Sequence, residues 1–197
     1  MLSLVLTAEL EGSPHRATIF DAGGAEALNS LLDLRVVDAA PQLTLSGSVT
    51  SLRPIDTEED PYYYTFRVKC TSCHEVHANW VGFNRFEQHE IPGSRGEANF
   101  VWKCRLCTKT HSASIISGPN AYELQEKKTG QKIIEMDCRG LEFIEFKPAE
   151  GKWEAKGVES PTKFSDIELD EGEWYDYDEK TSEEVSIKDI TWSVGRA

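Results

Sequence analysis

Hydrophobic and polar positions alternate along much of this chain. Leu4–Leu10, Tyr62–Val68, Ser112–Ile116, Lys132–Asp137 and Glu142–Phe146 each set apolar side chains on one face and polar ones on the other, the pattern of a half-buried strand. Turn-forming residues separate them at Pro92-Gly93, Gly118-Pro119-Asn120, Thr129-Gly130 and from Pro148 to Gly151. The pattern predicts an all-β, antiparallel protein. One stretch departs from it: Ala25–Ala39 carries Leu28, Leu31, Leu32 and Val36 at helical spacing and predicts a helix. Met1–Leu6 is apolar, but no basic segment precedes it and the run stops at Glu9, so it reads as a strand and not as a signal peptide or a membrane span.

The strand pattern also repeats. Val5-Leu6-Thr7-Ala8-Glu9-Leu10-Glu11-Gly12 parallels Ile133-Ile134-Glu135-Met136-Asp137-Cys138-Arg139-Gly140, and Leu52-Arg53-Pro54 parallels Phe146-Lys147-Pro148. In each copy an alternating strand reaches a glycine that can turn the chain, and a second strand ends on a basic residue and a proline. Two topologically similar antiparallel halves are expected. Residues 1–12 with 49–125 form the first, and 126–197 form a second, metal-free acidic half. Residues 13–48 interrupt the first half, and removing them joins Gly12 to Val49 as one hairpin. An inserted helix-loop and translated intron sequence both account for the segment.

Cysteines change the picture from fold to chemistry. Cys70-Thr71-Ser72-Cys73 follows the strand-like Tyr64–Lys69, and Cys104-Arg105-Leu106-Cys107 follows Asn99–Lys103. A strand that delivers one thiolate and a tight turn that returns a second is the local form of a zinc knuckle, and two of them close a tetrahedron around one Zn²⁺. Four soft thiolates favour zinc over hard cations. The first half is therefore expected to carry a zinc-ribbon-like site of Cys70, Cys73, Cys104 and Cys107, with one zinc per chain. His74, His77 and His111 lie near the knuckles in sequence, but four thiolates already fill a tetrahedron. Their expected place is beside the ligands or at the surface.

Charge narrows the function further. The formal net charge of −13 opposes phosphate backbones, and the basic stretches Lys103–Lys109 and Lys127-Lys128 are thin for a nucleic-acid footprint. Hydrophobic content of 39% with five Trp is enough for a packed interior in 197 residues. Four of five cysteines in metal-type pairs fit a reducing compartment, which points to the cytoplasm with the nucleus as a further location.

Three other features carry candidate roles. Cys138, the unpaired cysteine, is either a reactive thiol beside Arg139 or a core residue, since it takes the place of Leu10 in the repeat. Gly93-Ser94-Arg95-Gly96-Glu97-Ala98-Asn99 lacks the ending of a phosphate loop and precedes a strand, so it reads as a hairpin turn presenting Arg95. Between Glu168 and Glu184, carboxylates surround Trp174, Tyr175 and Tyr177 without EF-hand spacing. Arg95, Trp174, Tyr175, Asp176, Asp178 and Glu179 are the candidates for a protein-binding face. A solvated edge anchored by its aromatic residues is the alternative.

Taken together, Leu52-Arg53-Pro54, Phe66 to Cys73, Trp80, Gly93-Ser94-Arg95-Gly96, Val101 to Cys107, Asp137 to Glu142, Gly157-Val158-Glu159-Ser160, Phe164 to Ile167 and Trp174 to Lys180 resemble the eukaryotic CXXC-motif-containing zinc-binding protein family. The resemblance covers residues 1–12 and about 49–197. It implies a duplicated all-β fold with zinc on the four knuckle cysteines, and it implies no established reaction. The expected function is a zinc-stabilised, monomeric interaction or adaptor module without catalysis, working on protein partners and not on nucleic acid or membranes. Two alternatives stand beside it: a redox enzyme of the methionine-sulfoxide-reductase kind using Cys138, and a protein that hands zinc or copper onward.

Overall fold

A computed structural model describes residues 1–12, 49–125, 129–149 and 152–196. The expected insertion at 13–48, with its helix at Ala25–Ala39, lies outside the described residues. Among those described, every regular element is a strand: β1 (Leu2–Gly12), β2 (Val49–Pro54), β3 (Tyr64–Cys70), β4 (Val81–Phe83), β5 (His89–Glu90), β6 (Glu97–Ala98), β7 (Phe100–Lys103), β8 (Thr110–Ser117), β9 (Gln131–Arg139), β10 (Leu141–Lys147), β11 (Trp153–Gly157), β12 (Lys163–Ile167), β13 (Trp174–Asp178) and β14 (Glu183–Arg196).

Six of them form one antiparallel sheet in the order β13-β14-β1-β9-β8-β7, which curls into a half-barrel. Two three-stranded sheets, β10-β3-β4 and β12-β11-β2, and the β5-β6 hairpin complete the fold. The alternation seen in the sequence sets the buried faces. On β3, Tyr64, Phe66, Val68 and Cys70 point inward and their neighbours outward. On β1, Leu4 and Leu6 are fully buried at the middle of the large sheet. A bulge on β9 opposite Leu4 and Val5 lets the successive residues Ile133 and Ile134 both reach the interior, which strict alternation forbids.

Aromatic residues fill the space between the sheets. Phe66 stacks on Phe143 at 4.6 Å, Phe83 on Phe100 at 5.3 Å and on Phe143 at 5.4 Å. A second group joins Tyr62, Trp153 and Trp192, with the Trp153 indole N–H donating to the Tyr62 hydroxyl at 3.1 Å. That bond satisfies the buried indole N–H, and the same hydroxyl also accepts from the Ala149 N–H at 2.9 Å.

Pairing across the sheets corrects one expectation. β1 pairs with β14 and β9, whereas β2 pairs with β11, so Gly12 and Val49 do not belong to a two-stranded hairpin. The chain crosses from the large sheet to a small one between them. It crosses in the same way at Gly140, where β9 ends in the large sheet and β10 begins in the other small one. The strand order is also unchanged by an exchange of β1 with β9, β2 with β10, β3 with β11, β4 with β12, β7 with β13 and β8 with β14. The stretches β1–β8 and β9–β14 each lend one strand to the other: β2 lies against β11, and β10 against β3.

Candidate metal centre

Cys70 is the last residue of β3, and Cys104 directly follows β7. Each opens a turn of the same construction. The Cys70 N–H donates to the Glu75 carbonyl at 2.9 Å and the His74 N–H to the Cys70 carbonyl at 2.9 Å; the second turn repeats this with Cys104 to Lys109 at 3.0 Å and Thr108 to Cys104 at 3.0 Å. The residue after each second cysteine takes a left-handed backbone, with φ of 62° at His74 and 59° at Thr108. A left-handed step on a residue with a Cβ costs about 1 kcal/mol, and at both places it follows the second cysteine on the residue whose N–H returns to the first cysteine's carbonyl, closing the turn.

The four sulfurs converge, all within 4.8 Å of one another. Cys73 and Cys104 Sγ are 3.5 Å apart, and Cys70 and Cys107 Sγ 3.7 Å apart. A zinc ion about 2.3 Å from each of four sulfurs would space them about 3.8 Å apart, so the donor set fits zinc in both kind and size. Their protonation points the same way. Burial alone would raise the Cys70 thiol, but the backbone N–H groups of Cys73 and Ser72 reverse that and bring it down to about 6. At Cys73 the Glu75 N–H pulls downward, and burial with the neighbouring sulfurs of Cys104, Cys70 and Cys107 outweighs it, holding that thiol at about 12. One thiolate forms readily and then opposes the next. A dication at the centre removes that opposition.

Side chains around the sulfurs hold them in place. His111 on β8 is buried, its ring centroid 5.6 Å from that of Trp102, and its Nε2 sits 3.2 Å from Cys70 Sγ. With the proton on Nε2 it donates to the thiolate, which fixes the sulfur and draws off some of its charge. Gly140 makes room for this ring: its φ is +81°, and a Cβ there would overlap the imidazole, with Cε1 at 2.9 Å. The same residue's carbonyl accepts from the Thr71 N–H at 3.1 Å and so braces the first knuckle. Of the other histidines, His74 is exposed and His77 is half-buried, its ring 5.7 Å from Trp102.

The segment linking the knuckles is built on two buried asparagines that sequence reasoning missed. Asn84 Oδ1 accepts from the N–H groups of Phe86 at 3.0 Å and Glu87 at 2.8 Å. Asn99 Nδ2 donates to the carbonyls of Arg85 at 3.0 Å and Glu87 at 2.8 Å, and its Oδ1 accepts from Ile115 N–H at 2.9 Å. A turn-type residue next to a strand was the signal available for each, and it does not distinguish an exposed turn from a buried bracket.

Elsewhere the expectations divide. Cys138 on β9 is half-buried against the core, and burial pushes its thiol up to about 12. Arg139 directs its guanidinium to Asp137 at 3.1 Å. Gly93, with φ of 80°, turns the β5-β6 hairpin as expected and leaves Arg95 exposed. Tyr175, Asp176, Tyr177 and Glu179 are exposed, and Trp174 is half-buried edge-on to Phe164 at 5.6 Å. Asp178 departs from the expected binding face: it is buried, and its carboxylate accepts from the Ser160 hydroxyl, from Thr162 Oγ1 at 2.9 Å and from the Lys180 N–H at 3.0 Å. Arg95 lies just before β7 at one edge of the large sheet, whereas β13 forms the other edge.

With the geometry in hand, comparison with known proteins gives a consistent picture. Residues 42–195 match the family described as CXXC motif containing zinc binding protein, eukaryotic. The match does not take in residues 1–12. The UPF0587 protein C2D10.03c of Schizosaccharomyces pombe is 43% identical over 156 residues, 79% of this chain and 97% of its own length. The human CXXC motif containing zinc binding protein is 39% identical over 145 residues, 73% of this chain and 88% of its own. Among solved structures, the crystal structure of C1orf123 superposes with a TM-score of 0.73 at 31% identity, covering 100% of this chain and 99% of that one. A hypothetical protein from Plasmodium falciparum shares the fold, with a TM-score of 0.69 at 20% identity over 98% of each chain.

Proposed function

We propose that this chain, which belongs to the eukaryotic CXXC motif containing zinc binding proteins, uses its zinc as a structural clamp and works as a protein-interaction module without catalysis. The observation that carries this is the closed set of four sulfurs. A catalytic zinc keeps a position for water or substrate, and four thiolates leave none. The clamp also has mechanical sense: it ties the end of β3, in a small sheet, to the end of β7, at the edge of the large one. Its stoichiometry on this reading is one zinc per chain.

Against the redox alternative, Cys138 is pushed away from the thiolate form by burial, where a nucleophile needs the opposite. Metal transfer has one observation in its favour: Cys73 and Cys107 are only half-buried, which gives a competing ligand a path to the ion. The partner on our reading is a protein met as a monomer, in the cytoplasm or nucleus, where thiolates stay reduced. The exposed Tyr175, Asp176, Tyr177 and Glu179 suit a basic partner, and the net charge disfavours nucleic acid.

Graded chelation followed by circular dichroism and zinc analysis tests the central part. Loss of zinc together with loss of β structure supports the clamp, because site and fold then form one unit. Zinc that leaves while the fold stays intact favours transfer and overturns the clamp.

A further inference from the structure

The exchange of strands that leaves the sheets unchanged sends the two zinc knuckles, between β3 and β4 and between β7 and β8, onto two turns that hold no cysteine. These are the turn after Gly157, between β11 and β12, and the turn after Asp178, between β13 and β14. We infer that these two turns are a metal-free copy of the knuckle pair, in which Gly157, Ser160, Asp178 and Thr181 stand where Cys70, Cys73, Cys104 and Cys107 stand, and the Asp178 carboxylate ties the turns together as zinc ties the knuckles.

Register carries the correspondence. In each of the four turns, the residue before the first position pairs with the residue seven further along: Lys69 with Val76, Lys103 with Thr110, Lys156 with Lys163, and Tyr177 with Glu184. The bond that closes each knuckle from its first residue, Cys70 N–H to Glu75 and Cys104 N–H to Lys109, recurs as Gly157 N–H to the Thr162 carbonyl at 2.9 Å. The bond that returns to the first carbonyl recurs as Ser182 N–H to Asp178 at 2.8 Å, and Ser182 has a φ of 60°, beside 62° and 59° at His74 and Thr108. The turn after Gly157 lacks that last bond because Pro161 stands at the position and has no N–H to give. The repeat in the sequence, Val5–Gly12 with Ile133–Gly140, links the same strands, β1 and β9.

The chemistry has been substituted position by position. Cys73 meets Cys104 across the zinc site, and at the equivalent positions the Ser160 hydroxyl donates to the Asp178 carboxylate. Backbone N–H groups of Ser72 and Cys73 favour the Cys70 thiolate; those of Lys180 and Thr181 likewise favour the Asp178 carboxylate, and the Thr162 hydroxyl adds a further donor. Anion and turn geometry are kept, while hydroxyl and amide hydrogens replace the cation. Gly157 follows from this, since a Cβ there would lie 2.5 Å from Ser160 Oγ and 3.2 Å from Asp178 Oδ2. A side chain at that position would crowd the Ser160 hydroxyl and the carboxylate that take the place of two sulfurs.

The correspondence rests on the reading that the four cysteines hold zinc, and one variant separates the two. In the full chain, Gly157→Cys, Ser160→Cys, Asp178→Cys and Thr181→Cys are introduced together, and zinc per chain is measured by elemental analysis and native mass spectrometry. The expected result is one zinc more than in the wild type, and no gain when the same four positions become Ser. A folded four-cysteine variant with the wild-type zinc content overturns the inference, whereas absence of zinc from the wild type contradicts the clamp instead. If the four-cysteine chain does not fold with zinc supplied, a double-mutant cycle of Asp178→Asn with Ser160→Ala decides. Strong coupling in denaturant melts supports the tie between the turns, and additive effects overturn it.

Discussion

Replacing Gly140 by Ala tests how the fold supports the metal centre, because that glycine touches no sulfur. The substitution has two separable costs. Its left-handed backbone, with φ of +81°, charges about 1 kcal/mol to any residue with a Cβ. The new methyl group also enters the space of the His111 ring, which Trp102 backs and Cys70 Sγ meets at 3.2 Å. Moving the ring breaks a hydrogen bond to a thiolate, worth about 2 kcal/mol. The expected total is about 3 kcal/mol in denaturant melts of the zinc-loaded chain, with zinc affinity lowered roughly 10- to 100-fold in competition with a chelator. In a His111→Ala background the steric part disappears, so Gly140→Ala should then cost only about 1 kcal/mol, a coupling of about 2 kcal/mol. Additive effects, or wild-type zinc affinity in Gly140→Ala, would refute the claim that this glycine acts through His111.

Further outcomes follow from the same geometry. Cys70→Ser or Cys104→Ser leaves three thiolates and should release zinc from the purified chain; full occupancy in the double variant contradicts the ligand assignment. Burial pushes the Asp178 carboxyl upward, but hydrogen bonds from Ser160, the Lys180 N–H, Thr162 and the Thr181 N–H prevail and hold it below the usual carboxylate range. A folded-state pKa that is depressed stabilises the fold above the ordinary carboxylate range and loses that contribution as pH falls through the folded value. The stability gap between wild type and Asp178→Asn should therefore narrow on acidification in paired urea melts, and a gap that widens contradicts the assignment. Deleting residues 13–48 should preserve zinc content, since the sulfurs and the described core come from other segments; loss of zinc would place the segment within the fold.

The four clustered cysteines and most strands were legible because both are local. Two cysteines three positions apart after an alternating run describe a knuckle without any long-range information, and Tyr64–Cys70 alternates in burial as its sequence alternates in polarity. Pairing was not legible. That β2 lies on β11 and β10 on β3 is decided by contacts across roughly 70 to 110 residues, and hydrophobic period carries no partner identity. For the same reason Gly12 and Val49 suggested a hairpin where the chain changes sheets. Asp178 was misplaced by its company: in a run of exposed acids and tyrosines nothing local marks the one carboxylate that turns inward, and its donors Ser160 and Thr162 belong to a different hairpin. Sequence proximity left His111 either beside the ligands or at the surface, and the role of Gly140 became visible only once the fold had set it against that ring.

X-ray absorption at the zinc edge of the purified wild-type chain tests the central claim most directly. The account predicts four sulfur neighbours at about 2.3 Å and no nitrogen or oxygen in the first shell, with all four sulfurs supplied by Cys70, Cys73, Cys104 and Cys107. A spectrum with three or fewer sulfurs, or with a light-atom ligand completing the shell, would contradict a closed structural site.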